Sequence, residues 1–94
     1  ETSGNFVLEE RENREIRVFP NPSDGQLLLD WSRGFQPEAI RLFDLNGRLL
    51  IQENPQESAH QLEWDLNAKG IPKGVYLLEV AGANELFRRK VVRQ

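Results

Sequence analysis

The stretch AIRLFDLNGRLLIQE, residues 39–53, decides the fold. Ile40 and Leu42 share one side of an alternating run and Arg41 points the other way. Strict alternation of this kind marks a half-buried strand, not a helix. Asn46-Gly47 then reads as a tight reversal of the type that needs positive φ, and Arg48–Glu53 reads as the return strand. The segment is therefore an antiparallel hairpin with its first strand at Ala39–Asp44.

The same pattern repeats on both sides of it. Upstream, Ile16–Phe19 and Gln26–Trp31 are short apolar alternations separated by Pro20-Asn21-Pro22-Ser23-Asp24-Gly25. Two prolines in three residues have no place inside a ladder, and Asp24-Gly25 is a turn signal. Downstream come His60–Leu66, Gly74–Ala81 and Glu85–Arg93, broken by the turn-rich stretches Asn67–Lys73 and Gly82-Ala83-Asn84. No helical period is sustained after Ile16. Seven short strands at this spacing predict an all-β domain, an immunoglobulin-like β-sandwich of about seven antiparallel strands. Leu27, Leu29, Ile40, Leu42, Leu62, Trp64, Leu66, Tyr76, Leu78 and Val80 are the expected core.

Residues 1–15 are different. They carry five acidic and two basic residues around one apolar cluster, Phe6-Val7-Leu8. With no apolar stripe to pack, they are expected to form a flexible charged linker ahead of a sandwich at 16–94. The chain opens on Glu1 and lacks methionine, so it is expected to be a piece of a longer protein.

Composition narrows the function. The 94 residues suit a single domain, with 38% hydrophobic and 29% charged residues. Cysteine is absent, which removes disulfides, thiolate metal sites and thiol nucleophiles. A net charge of −3 argues against a general nucleic-acid binder. No apolar run approaches the ~20 residues of a membrane-spanning helix. The single histidine, His60, has no second His or Cys to share a metal, and none of the serines has nucleophile-elbow spacing. Glu63 and Asp65 share an outward strand face, where nothing would separate their pKa values for acid–base work. Asp44-Leu45-Asn46-Gly47 resembles the start of a calcium loop but lacks the remaining ligands. Trp31 and Trp64 fall in register with inward leucines, so they are expected in the core and not on a sugar-stacking platform. Arg88, Arg89, Lys90 and Arg93 form a basic end suited to a solvated edge strand or a docking surface. No metal, cofactor or catalytic residue is expected.

Four pieces taken together are more specific. Val18-Phe19-Pro20-Asn21-Pro22-Ser23-Asp24-Gly25, Leu42-Phe43-Asp44-Leu45-Asn46-Gly47-Arg48, Pro72-Lys73-Gly74-Val75-Tyr76-Leu77-Leu78-Glu79-Val80 and Lys90-Val91-Val92-Arg93 occur in this order. Over about residues 16–94 the chain closely resembles the C-terminal sorting domain of the Bacteroidota type IX secretion system. The resemblance implies a seven-stranded immunoglobulin-like sandwich that closes a large exported cargo protein. Such a domain passes through the periplasm and is read by the outer-membrane translocon. In many members a sortase-like peptidase then removes it and joins the cargo to lipopolysaccharide at the cell surface.

The resemblance also assigns residues. Pro20, Asn21, Pro22 and Gly25 match the first motif. Asp44, Gly47 and Arg48 match the second, and Gly74 and Tyr76 the third. Lys90, Val91, Val92 and Arg93, with Gln94, match the terminal motif implied in translocon recognition, by strand addition or capture of a terminal carboxylate. Cleavage is expected in residues 1–15, with Ser3-Gly4-Asn5 preferred as a small polar stretch. Three other readings stay open here. They are a carbohydrate-binding or adhesive module, a domain that stabilises its neighbour, and a retained sorting domain on a surface component of the secretion machinery.

Overall fold

The computed structural model describes residues 16–32 and 34–94. The expected linker, with Ser3, Gly4 and Asn5, lies outside the described residues. Seven strands are present among them: β1 (Ile16–Phe19), β2 (Gln26–Trp31), β3 (Ala39–Phe43), β4 (Leu49–Glu53), β5 (Gln61–Asp65), β6 (Gly74–Ala81) and β7 (Leu86–Arg93). They form a three-stranded sheet, β1-β2-β5, and a four-stranded sheet, β4-β3-β6-β7, and every strand pairing is antiparallel. This is the immunoglobulin-like sandwich read from the pattern. The short β3–β4 connection keeps β4 beside β3, which gives the three-plus-four division of strands.

β1, β2 and β6 bury alternate residues, and β4 and β5 turn Ile51 and Trp64 inward, so each sheet gives the other one apolar face. Leu27 and Leu29 of β2, Ile40 and Leu42 of β3, Trp64 of β5, Tyr76, Leu78 and Val80 of β6 and Val91 of β7 meet in one cluster. Ile16, Val18, Phe35, Ile51, Ile71, Phe87 and Val91 extend it beyond the residues expected from sequence, and Trp31 joins it as its register implied. Leu62 is a correction: it is only partly buried and packs against the rim of the cluster. It sits on β5, an outermost strand with no neighbour on its far side to cover it.

Both tryptophans are interior. Trp31 is 6% exposed and Trp64 1%. Their ring N–H groups donate to Ala59 O at 3.1 Å and to Glu53 Oε1 at 2.6 Å, which satisfies the one polar atom each ring carries inward. The Tyr76 hydroxyl donates to the Pro72 carbonyl. This hydroxyl-to-backbone bond, near the start of the sixth strand, is the tyrosine corner of immunoglobulin-type sandwiches.

Five strand ends differ from the sequence reading. β3 stops at Phe43 and β4 starts at Leu49, because Asp44 and Arg48 belong to the turn. β5 is shorter at both ends, although the His60 carbonyl still accepts from Trp31 N at 3.0 Å. β7 starts at Leu86, since Glu85 closes a turn with Gly82.

Full burial of Leu29 against exposure of Leu45 sets a direct stability contrast. Leu29→Ala is expected to lower unfolding free energy by about 2–5 kcal/mol, through lost transfer energy plus a cavity. Leu45→Ala should change it by no more than about 0.5 kcal/mol. Urea denaturation followed by tryptophan fluorescence measures both.

Candidate recognition site

The antiparallel order puts the β1–β2 turn, the β3–β4 hairpin, the start of β6 and the end of β7 at one end of the sandwich. The ladder partners confirm it: Phe43 lies opposite Leu77, and Gly74 opposite Arg93. Backbone bonds from Ser23 N to Val92 O and from Leu66 N to Gly25 O, both 2.7 Å, bring the β1–β2 turn to the same end. All four sequence motifs therefore converge, although they span residues 18–93. The chain enters β1 at Ile16, at the opposite end.

The β1–β2 turn is built around its prolines. Pro20 and Pro22, each preceded by a cis peptide bond, have no N–H to donate. The Asn21 side chain supplies polar groups instead. Its Nδ2 donates to Lys90 O at 2.8 Å, and its Oδ1 accepts from Val92 N at 3.1 Å. One carboxamide thus matches the edge of β7 as a peptide unit would. Ser23 continues the seam as an isolated parallel bridge to Arg93, with Gln94 N donating to Ser23 O at 2.7 Å. Ser23 is fully buried, and its hydroxyl donates to Gln26 O at 2.7 Å while accepting from Gly25 N at 3.0 Å. Gly25 adopts a φ of 130°, and a Cβ there would stand 3.4 Å from Arg93 Nη2. The Arg93 guanidinium folds across this turn onto Ile71 O and Asn67 Oδ1.

The β3–β4 hairpin closes through the three-residue loop Leu45-Asn46-Gly47, with Asn46-Gly47 at the reversal as expected. Gly47 N donates to Asp44 O and Asp44 N to Arg48 O, both at 3.0 Å. Only Gly47 needs the left-handed region, with a φ of 86°. The ladder register shifts between Leu42 and Phe43 to fit the extra residue. The deciding group is the Asp44 carboxylate, which accepts from the amides of Asn46 and Arg48, each at 2.9 Å. Arg48 Nε adds an ion pair at 3.1 Å. The Arg48 amide, followed by the Arg48 side chain and the Asn46 amide, holds the Asp44 carboxyl below the usual carboxylate range.

The basic end is less basic than its sequence. Arg88 pairs with Glu79 at 3.4 Å, and Glu79 also takes Arg41 at 3.1 Å. Arg89 lies opposite Leu78, on the inward register. Lys90, exposed on the same register as Arg88, makes no ion pair among the described residues. Around it the outer face of the sheet is apolar: Val75 pairs with Val92, Leu77 with Lys90, and Leu49 and Leu45 are 47% and 72% exposed nearby. His60, Glu63 and Asp65 are exposed, and no three His, Asp or Glu groups gather for a metal among the described residues. Gly74 opens β6 against the Tyr76 ring.

Sequence reasoning placed Asn21 in a turn and Asp44 and Arg48 at the strand ends flanking one, but missed the seam from Asn21 and Ser23 to β7. The one available signal was an asparagine between two residues that cannot donate.

An all-β sandwich with buried tryptophans and its motif residues gathered at one end is a recognition module. Residues 17–94 match the family described as secretion system C-terminal sorting domain, and the chain belongs to that family. The domain is a C-terminal secretion signal for the type IX system, and its family is not an enzyme family. No curated protein matches the chain. The carbohydrate-binding reading needed exposed aromatic platforms, and both tryptophans are interior.

The Asp44 carboxyl makes the hairpin sensitive to acid. A carboxyl whose folded pKa is depressed stabilises the fold above its unfolded pKa, and the benefit disappears as pH falls through the folded value. Asp44→Asn is therefore expected to unfold at a lower temperature than the wild type at pH 7. The gap should close below the usual carboxylate range, as thermal melts across pH would record.

Proposed function

We propose that this chain directs a parent protein, joined ahead of Ile16, from the periplasm across the outer membrane. Recognition by the type IX machinery and a cargo in cis follow from family membership. The reading adds that a sortase-like surface peptidase cuts within residues 1–15, at or near Ser3-Gly4-Asn5, and that the cargo is then held at the surface or released. The domain is consumed as a signal and performs no reaction of its own.

The single observation that carries the reading is the gathering of the family's motif residues at the sandwich end opposite Ile16. At ~3.3 Å per residue, the eight residues of β7 set the two ends roughly 25 Å apart. A cargo at one end leaves the other free to dock.

The test is a periplasmic fluorescent reporter joined to residues 1–94 in a host that has this secretion system. The expected product is surface or medium reporter, shortened by about the 10.9 kDa of this chain. Surface reporter at full length would point to a retained domain. Reporter that stays in the periplasm beside a folded domain would refute the reading.

A further inference from the structure

An outermost strand is an open template for strand addition unless something covers it. β7 is outermost in the four-stranded sheet. The bonds that Asn21 and Ser23 make to Lys90, Val92 and Gln94 put the backbone groups of its even residues on the outer edge, so those of its odd residues, Phe87, Arg89, Val91 and Arg93, face β6. Its even residues turn their backbone groups outward, because orientation alternates along an antiparallel strand. Those outward groups are not all free. Lys90 O and Val92 N are held by Asn21, Val92 O by Ser23 N, and Gln94 N by Ser23 O. The edge is closed from the Lys90 carbonyl to Gln94. Earlier along β7, the outward amides of Arg88 and Lys90 have no partner among the described residues.

We propose that the outer-membrane partner reads the motif end of the sandwich as a folded, composite side-chain surface, and that Asn21 and Ser23 are the positioning residues that assemble it. This rests on the sorting-signal reading above and specifies its recognition surface. The partner meets Lys90 and Val92 on the outer sheet face, with Val75 and Leu77 beside them. From the Lys90 carbonyl to the Gln94 amide the stretch adds no strand to the partner, because these outward hydrogen-bonding groups are already spent on the β1–β2 turn. Asn21 touches nothing beyond this chain. It fixes where the end of β7 stands relative to the other motifs.

The two modes predict opposite results for Asn21→Ala. Loss of both carboxamide bonds frees the edge and loosens the composite surface together. Strand addition would be helped, whereas composite recognition would be weakened. The experiment compares export of the reporter–(1–94) fusion for wild type, Asn21→Ala, Asn21→Asp and Ile16→Val, with thermal midpoints measured on each chain. Asn21→Asp keeps the acceptor for Val92 N and loses the donor to Lys90 O. Ile16→Val removes a buried methylene at the far end of the sandwich, for a comparable loss of stability.

The expected result is a drop in export of about tenfold for Asn21→Ala, in line with two lost hydrogen bonds. Asn21→Asp should fall between it and wild type, and Ile16→Val should export normally. Unchanged or improved export of folded Asn21→Ala would overturn the proposal in favour of strand addition. Equal losses in Asn21→Ala and Ile16→Val would overturn it too, by reducing Asn21 to a stability role. If Asn21→Ala does not fold, the comparison of Asn21→Asp with Ile16→Val decides on the same terms. Failure of the wild-type fusion to export would strike the sorting reading itself and is seen in the same experiment.

Discussion

The seam between the β1–β2 turn and the outer edge of β7 is the constraint on which the motif end depends. Without it the two sheets would meet there only through side chains of the core. With it, a turn from one sheet is hydrogen-bonded to the last strand of the other. Four bonds of 2.7–3.1 Å make the seam, two from the Asn21 carboxamide and two from the Ser23 backbone. Each is modest by itself. Their effect is positional, because the turn occupies the only direction in which the end of β7 might take another strand. Arg93 reinforces the joint by crossing from β7 to the Ile71 carbonyl and Asn67.

That constraint gives the sandwich a direction. Ile16 lies at one end of the sandwich, and the motif residues lie at the other. The hairpin held by Asp44, the tyrosine corner at Tyr76 and the turn at Pro20–Gly25 are three separate local solutions at that second end. Each fixes backbone by giving a polar group a definite partner: a carboxylate for two amides, a hydroxyl for a carbonyl, a carboxamide for a strand edge. Under the proposed recognition of a folded surface, rigidity at the reading end is useful even where no chemistry occurs. The charge pattern agrees. Arg88 and Arg41 share Glu79, which leaves Lys90 as the outward-register cation of β7 with no ion pair among the described residues, beside Val92 and the apolar outer face.

The fold was legible because alternation and turn residues are local. Ile40, Leu42, Tyr76, Leu78 and Val80 announce their inward face within a few residues, and all five are interior. Leu62 was misplaced because alternation reports a face without reporting whether the strand is outermost. Ile71, Phe35 and Phe87 were missed for the converse reason: loop residues and the ends of strands have no period to read. The Asn46-Gly47 pair marked the reversal, but the strand ends beside it were read too long, because alternation does not show that the Asp44 carboxylate takes the Asn46 and Arg48 amides and draws both flanking residues into the turn. The motif residues were visible as a family resemblance. Their convergence was not, since the bonds from Asn21 to Lys90 and Val92 join positions about seventy residues apart and leave no local trace.

Amide hydrogen exchange along β7 of the wild-type chain tests the closed edge most directly. Val92 N and Gln94 N face outward yet are bonded to the turn, whereas Arg88 N and Lys90 N face outward with no partner among the described residues. Slow exchange at Val92 and Gln94 with fast exchange at Arg88 and Lys90 is the expected result. Exchange at Val92 and Gln94 as fast as at Arg88 would mean that the edge stands open in solution, and that the seam does not organise this end of the domain.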